Sequence, residues 1–412
     1  MPVGNFSFPE MTPIVGVRLS AVSAGIKRSA SKSGGLDLVL IELPIGACVA
    51  GVYTTNAYCA APVTLCRQHA AHSSCSRYLV INSGNANACT GEQGIQAALA
   101  TCRAVAKQTD IDCRLVLPFS TGVIGEPLPL DKIEKSIPEL FERLAEDHWS
   151  LAATGIMTTD TCPKGVSTSL RLEGCDDNLI INGIAKGSGM INPNMATMLA
   201  YVATNARVEK QLLQEILVDA VNLSFNRITI DGDTSTNDSC LLMAAGTSAI
   251  HINDKHSPYY LEFKQAVVET LTELAQKVVR DGEGATKFVT IDIEDGSNSA
   301  ECLKVAYAIA HSPLVKTALF ASDANWGRIV AAIGYAGIED LDVENIRVYL
   351  DDVLIVEHGG RAQTYSEAAG QAVMLKDEIL LRVCLGRGSI KETIWTTDLS
   401  HEYITINAEY RS

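Results

Sequence analysis

Short apolar runs and longer amphipathic stretches alternate along this chain. Residues 36–41 (LDLVLI) and 48–54 read as buried strands, split by the turn Leu43-Pro44-Ile45-Gly46. Residues 78–82 form another short strand that runs into a polar, glycine-bearing loop at 83–87. A helix is expected from Gly91 to Lys107. Residues 114–118 read as a strand entering a glycine turn at 120–125. Asp131 is a candidate cap for a helix with Ile133, Ile137, Leu140, Phe141 and Leu144 on one stripe, and Pro138 is expected to mark a break or a second start in it. Strands follow at 165–172 and 179–184. Helices at 208–222 and 259–280 keep an apolar stripe, and Val289, Ile291 and Ile293 alternate as in a strand. A helix at 300–310 precedes a last hundred residues that read mainly as strands, with a helix near 365–371 and a strand at 379–385. Strands and helices interleave throughout, so the fold class is α/β or α+β, with mixed β-sheets.

Composition narrows the class. At 412 residues the chain suits two or three domains, and 47% hydrophobic with 20% charged residues argues against disorder. A net charge of −15 argues against nucleic acid and anionic membranes as partners. It does not oppose a small anionic substrate, which needs one local cation. The twelve cysteines are scattered, with no C-x-x-C and no Cys/His cluster, so no metal site is expected. No signal-peptide pattern and no bilayer-length apolar run is present, which reads as a cytoplasmic, reduced, non-membrane protein.

One stretch carries unusual chemistry. Residues 186–206, KGSGMINPNMATMLAYVATNA, begin with a cation and a Gly-Ser-Gly turn and cross Asn192-Pro193-Asn194. They end in an apolar run holding Thr197 behind the small residue Ala196. The Thr197 hydroxyl can attack the Ala196 carbonyl, turn the amide into an ester and let water cut the chain. The freed α-amine of Thr197, with an ordinary pKa of about 7.7–8, can then serve as base for its own hydroxyl. A buried strand threonine is the plain alternative, and the residues alone leave both open.

Other constellations are weaker. Gly187-Ser188-Gly189 lacks the rest of a phosphate loop or dinucleotide fingerprint and reads as a turn. Gly282-Glu283-Gly284 is either a helix stop or a carboxylate aimed at a ligand amine. No Ser-His-Asp arrangement stands out. Thr121-Gly122 can supply a hydroxyl and an N–H to an oxyanion. Residues 228–238, ITIDGDTSTND, are acidic and rich in hydroxyls, without an assigned role.

The stretch KGSGMINPNMATML resembles the self-cleavage motif of the ornithine acetyltransferase family, the glutamate N-acetyltransferases of the cyclic arginine pathway. GVYTTN (51–56), NSGNANACTG (82–91), STGVIGEPL (120–128), MTTDTCPK (157–164), GEGATK (282–287), SPLVKTA (312–318), DANWGR (323–328) and INAEYRS (406–412) resemble further signatures in family order.

The resemblance implies a cut between Ala196 and Thr197. It would give an α chain of residues 1–196 and a β chain of 197–412, joined as an α2β2 assembly. Thr197 would take acetyl from N2-acetylornithine and pass it to glutamate. Thr121 and Gly122 match the oxyanion pair. Thr158, with Thr159 next, Lys186, Glu283, Asn407 and Ser412 match substrate-binding residues; the family often ends in threonine, so Ser412 is a departure. No cofactor is implied, and acetyl-CoA as a second donor is left open. The fold implied is mixed sheets sandwiched between helices, with a smaller C-terminal domain. The rival expectations are an aminopeptidase of the same self-cleaving architecture and a non-catalytic binding protein.

Overall fold

The computed structural model describes residues 1–4, 6–27, 35–73, 75–192 and 198–408. The chain begins with β1 (Arg18–Val22), β2 (Leu38–Glu42), β3 (Cys48–Tyr53), α1 (Ala61–His72), β4 (Tyr78–Asn85), α2 (Gly91–Lys107) and β5 (Val116–Val123). Then come α3 (Leu130–Glu142), α4 (Trp149–Gly155), β6 (Lys164–Arg171), β7 (Asn178–Lys186), β8 (Leu199–Thr204), β9 (Arg207–Val208) and α5 (Lys210–Leu223). After β10 (Ser239–Ala244), β11 (His251–Ile252) and α6 (Tyr260–Arg280) the chain enters β12 (Phe288–Gly296). The remainder is α7 (Ser299–Ala310), α8 (Pro313–Phe320), α9 (Trp326–Gly334), β13 (Arg347–Leu350), β14 (Val353–Glu357), β15 (Gly360–Arg361), α10 (Glu367–Met374), β16 (Glu378–Cys384), β17 (Ile390–Thr397) and α11 (His401–Ala408).

Three mixed sheets organise these elements, in the orders β1-β2-β4-β5, β3-β10-β8-β7-β6 and β15-β14-β13-β16-β12-β17. The first two stack face to face. Their strands are apolar on both sides, and the period of two sorts the side chains between two layers. In β8, Leu199, Tyr201 and Ala203 face the inter-sheet core with Val39, Ile41, Leu79, Leu117 and Phe119 of the first sheet. Ala200 and Val202 face the opposite way, onto Leu213, Ile216 and Leu217 of α5 and Leu271, Leu274 and Val278 of α6. The outer face of the first sheet is covered by Cys102 and Val105 of α2 and Ile133, Ile137 and Leu140 of α3. The third sheet packs its own apolar cluster against α7 and α9, with Ile291, Ile293, Val348 and Val383 meeting Val305, Ile309 and Ile333.

The main α/β expectation holds, with three corrections. The glycine turn expected at 120–125 is strand as far as Val123, because β5 pairs in parallel with β4 through Thr121 and Gly122. Pro138 does not break α3, which runs through it while the proline faces solvent. Residues 313–334, read as strand-rich, fold into α8 and α9. Their starts are capped by Ser312, which accepts from Val315 N–H, and Asn325, which accepts from Arg328 N–H.

The connection that matters most joins β7 to β8. These strands are antiparallel neighbours, and Lys186 stands opposite Leu199 in their register. Lys186 and Leu199 therefore mark one end of the sheet, and the candidate site forms there.

Candidate active site

A cleft enclosing about 880 Å³, its open mouth included, lies at the end of this sheet. Its lining includes Thr121, Gly122, Thr158, Lys186, Glu283 and Asn407, brought together from five separate segments. Thr159, Ser235 and Asn237 join them. Ala196, Thr197 and Ser412 lie outside the described residues.

Thr121 and Gly122 stand at the end of β5 where it passes β4. Gly122 has φ +132°, and a Cβ there would lie 2.3 Å from the Gly84 carbonyl carbon across the strand pair, so only glycine fits. Thr121 Oγ1 accepts from Lys186 Nζ at 3.2 Å. Because the lysine donates, the threonine's own hydrogen is free for another acceptor. Asn237 Nδ2 donates to the carbonyls of Ala86 at 2.6 Å and Ser120 at 2.9 Å, which ties the acidic tract to the end of β5.

Lys186 ends β7 and is 3% exposed. Burial pushes its pKa below the usual lysine range, while Asp160 draws it back up. An anion bound in the cleft would stabilise its charged form.

Beneath it, Lys164 is fully buried between two carboxylates, with Asp160 Oδ1 and Asp281 Oδ2 each 2.6 Å from its Nζ. Burial opposes the Lys164 charge, but the two aspartates outweigh it and raise its pKa. Burial likewise opposes ionisation of Asp160, but Lys164, Lys186 and the Gly187 N–H hold it well below the usual carboxylate range.

This cluster positions the lining. Asp160 accepts from Thr158 N–H at 2.9 Å and from Gly187 N–H at 2.8 Å, and Asp281 accepts from Thr161 N–H at 2.9 Å. Thr159 Oγ1 and Ser188 Oγ are 2.6 Å apart.

Glu283 follows Asp281 past the end of α6. Its N–H donates to Ser188 C=O at 2.7 Å, and its Oε2 accepts from Asn407 Nδ2 at 2.7 Å. A Cβ on Gly189 would lie 2.4 Å from Glu283 Oε2, so this glycine makes room for the carboxylate. Gly284 has φ +68°, and a Cβ there would come within 2.6 Å of Tyr403 N. Close docking of α11 against this position accounts for the glycine. The helix α11 buries none of its side chains. It is held by Asn407, by Ser400 Oγ on Gly284 C=O at 2.6 Å and by Tyr403 OH on Asp231 Oδ2 at 3.1 Å.

Asp231 also accepts from Met190 N–H at 2.6 Å and Ile191 N–H at 2.9 Å, and Asp238 Oδ1 accepts from Met198 N–H at 3.0 Å. Met190 and Ile191 on one side and Met198 on the other are thus held by the tract 228–238. No role for that tract was legible in its residues; its density of carboxyls and hydroxyls was the available signal. Among the described residues no group of three or more His, Cys, Asp or Glu could hold a metal ion. No helix among them is long and apolar enough to cross a membrane.

A cation, a free hydroxyl hydrogen, a glycine amide and a carboxylate around one cleft of a mixed α/β fold define an enzyme site for a small charged metabolite. The ArgJ family model matches residues 18–412, and the chain belongs to the ArgJ family. It is 54% identical to the arginine biosynthesis bifunctional protein ArgJ of Pseudomonas fluorescens over 413 residues, which cover 100% of both chains. A crystal structure of the arginine biosynthesis bifunctional protein ArgJ from Bacillus halodurans is 36% identical, covering 50% of this chain and 95% of that one, with a TM-score of 0.47. A structure of ornithine acetyltransferase complexed with ornithine, from Mycobacterium tuberculosis, is 31% identical, covering 44% and 92%, with a TM-score of 0.34.

Proposed function

We propose that Thr197 carries the chemistry of this enzyme. The activity is acetyl transfer from N2-acetylornithine to glutamate, in arginine biosynthesis, as in the family to which the chain belongs. Its residues suit that reaction. Lys186 pairs with a substrate carboxylate, and Glu283, steadied by Asn407, pairs with a substrate amine. Thr158 contacts the substrate beside them. Thr197 Oγ attacks the acetyl carbonyl while its α-amine takes the hydroxyl proton. The oxyanion is received by the Thr121 hydroxyl and the Gly122 N–H. The C–N bond of acetylornithine breaks and ornithine leaves with the proton; the amine of glutamate then attacks the acetyl-threonine ester, the acyl–Oγ bond breaks, N-acetylglutamate leaves and the amine's proton returns to Thr197 Oγ.

The α-amine becomes available when the chain cuts itself between Ala196 and Thr197, leaving residues 1–196 and 197–412 as two chains assembled as α2β2 in the cytoplasm. Residues from β12 onward, which have their own apolar cluster, are read as a smaller C-terminal domain. Ser412 keeps the hydroxyl of a terminal binding residue. The bifunctional name of the relatives favours acetyl-CoA as a second donor. The observation that carries the reading is the convergence of Thr121, Gly122, Thr158, Lys186, Glu283 and Asn407 on one cleft.

On a denaturing gel the protein should run as two bands, the second starting Thr-Met-Leu-Ala-Tyr. Thr197→Ala should give one band and lose transfer from both N2-acetylornithine and acetyl-CoA. An uncut, fully active Thr197→Ala protein would sink the mechanism.

A further inference from the structure

Lys316 stands on α8, in the stretch SPLVKTA (312–318), which the reaction proposed above does not use. It is 3% exposed. Lysine is seldom buried to this extent unless its charge is partnered. Here the partners come from one short segment, the link between β17 and α11. Lys316 Nζ donates to Thr396 Oγ1 at 3.0 Å and to Thr397 C=O. The backbone takes part as well, since Lys316 C=O accepts from Leu399 N–H at 3.3 Å. One residue thus grips 396–399 with both its side chain and its main chain. At the end of the same helix, the Phe320 ring meets the ring of His401 edge-on, with centroids 5.5 Å apart.

The charge is also placed to serve the cleft. Burial pushes the Lys316 pKa down to about 8, while Asp398 and then Asp231 hold it up. Asp398 accepts from Thr286 N–H at 2.8 Å and Lys287 N–H at 3.0 Å, a few residues past Glu283. Asp231 accepts from Met190 N–H, Ile191 N–H and Tyr403 OH. The buried cation therefore compensates two carboxylates that fix segments adjoining the cleft.

The helix α11 needs such an anchor. It buries none of its side chains, so apolar packing does not set its place. Its place depends on where the link 396–400 delivers it and on a few polar contacts, of which Asn407 on Glu283 lies farthest from the link.

We propose that Lys316 is a positioning residue for the part of the cleft that receives the substrate amine: by fixing the link 396–399 it sets the position of α11, and with it the reach of Asn407 to Glu283. This rests on the reading of Glu283 as the partner of that amine. Lys316 touches neither substrate nor reacting atoms, and its part involves no proton transfer.

The test is a double-mutant cycle between Lys316→Met and Asn407→Ala. Methionine keeps an apolar stem and deletes the ammonium donors. Each single variant should raise KM for N2-acetylornithine about tenfold and leave kcat within about twofold, because the groups around the acetyl carbonyl are untouched. The double variant should also stay near tenfold, since both changes release the same contact on Glu283. Single effects that multiply to about 100-fold, or an unchanged KM in Lys316→Met, overturn the proposal. If Lys316→Met does not fold, Thr396→Val takes its place in the cycle. It removes one acceptor of the ammonium with nearly the same shape, and should raise KM about threefold alone and add nothing to Asn407→Ala. Multiplying effects overturn the proposal there too.

Amide hydrogen exchange gives a readout that needs no activity. In Lys316→Met, or in Thr396→Val, the amides of 399–408 should exchange about tenfold faster than in the parent, with those of α6 and β12 unchanged. Unchanged exchange in α11 overturns the grip of Lys316 on that helix. A parent protein that transfers no acetyl from N2-acetylornithine overturns the reading of the reaction; a parent that transfers it, with effects that multiply, overturns only the role of Lys316.

Discussion

Beneath the cleft, Lys164 sits between Asp160 and Asp281 with every oxygen and nitrogen of the contact in hydrogen-bonding range. Beside Asn237, on the side of the tract 228–238, Asp238 is as deeply buried and has no such cation. The first region spends its charges on each other, and the result is a rigid platform for Thr158, Gly187 and the Glu283 loop. The second leaves one carboxyl oxygen, Asp238 Oδ2, without a hydrogen-bond partner among the described residues. A buried ion pair that is satisfied fixes geometry; a buried carboxyl with no cation in contact is pushed toward its neutral form.

The largest effect that could break this contrast is on stability. Lys164→Met should lower stability by about 3–5 kcal/mol, because it strands two buried carboxylates. Asp238→Asn should change it by less than about 1.5 kcal/mol. Urea denaturation of the two variants checks this, and equal losses would mean that both regions are structural.

Next in size is Lys186→Met. It removes the cation held above the platform while leaving Asp160 its bonds to Lys164 and Gly187. The expected loss is about 100-fold in kcat/KM for N2-acetylornithine, near the 1.5–3 kcal/mol of a charged hydrogen bond. Steady-state kinetics should place most of it in KM.

The smallest effect is in the pH dependence of stability, and the two regions have opposite signs. The Asp160 pKa is lowered on folding, so its stabilisation is present above about pH 4 and drains away as pH falls below that. The Asp238 pKa is raised, so it favours the folded state at low pH and withdraws that support as pH climbs above about 4 toward its elevated value. In uncut Thr197→Ala protein, stability between about pH 4 and 7 should therefore fall more steeply with rising pH than in the double variant with Asp238→Asn. Parallel curves would remove the asymmetry.

Much of the fold was legible because long periodic stretches announce themselves. The helix from Gly91 to Lys107 and the strand-turn-strand around Leu43 to Gly46 match the pattern of their residues. The two short helices α8 and α9 were not read, although Ser312-Pro313 and Asn325 are cap signals, because each is barely two turns long. The hydroxyl and glycine of 121–122 could be seen, but not that strand pairing rather than a turn holds them. The lysine platform was invisible for a different reason. Asp160 and Lys164 are four residues apart without sharing a helix, and Asp281 reaches them from the end of α6. Tertiary placement alone makes these three a unit.

The order of strands in the second sheet bears on what the proposed cut would do to the protein. From β3 to β6 the strands would belong to the first piece, the second, the second again, and then twice the first. Two seams join the pieces, β3 against β10 and β8 against β7, each paired over six residues in register. The pieces cannot part without tearing the sheet twice. Once torn, they must find one another in solution, so recovery changes from a first-order to a second-order process and becomes dependent on concentration. Urea-unfolded Thr197→Ala should refold at a rate independent of dilution, whereas a cut chain regains its shape only when its counterpart is at hand. Such a scission would give the molecule a history: what folded as one chain would persist afterwards as a pair that was never required to meet.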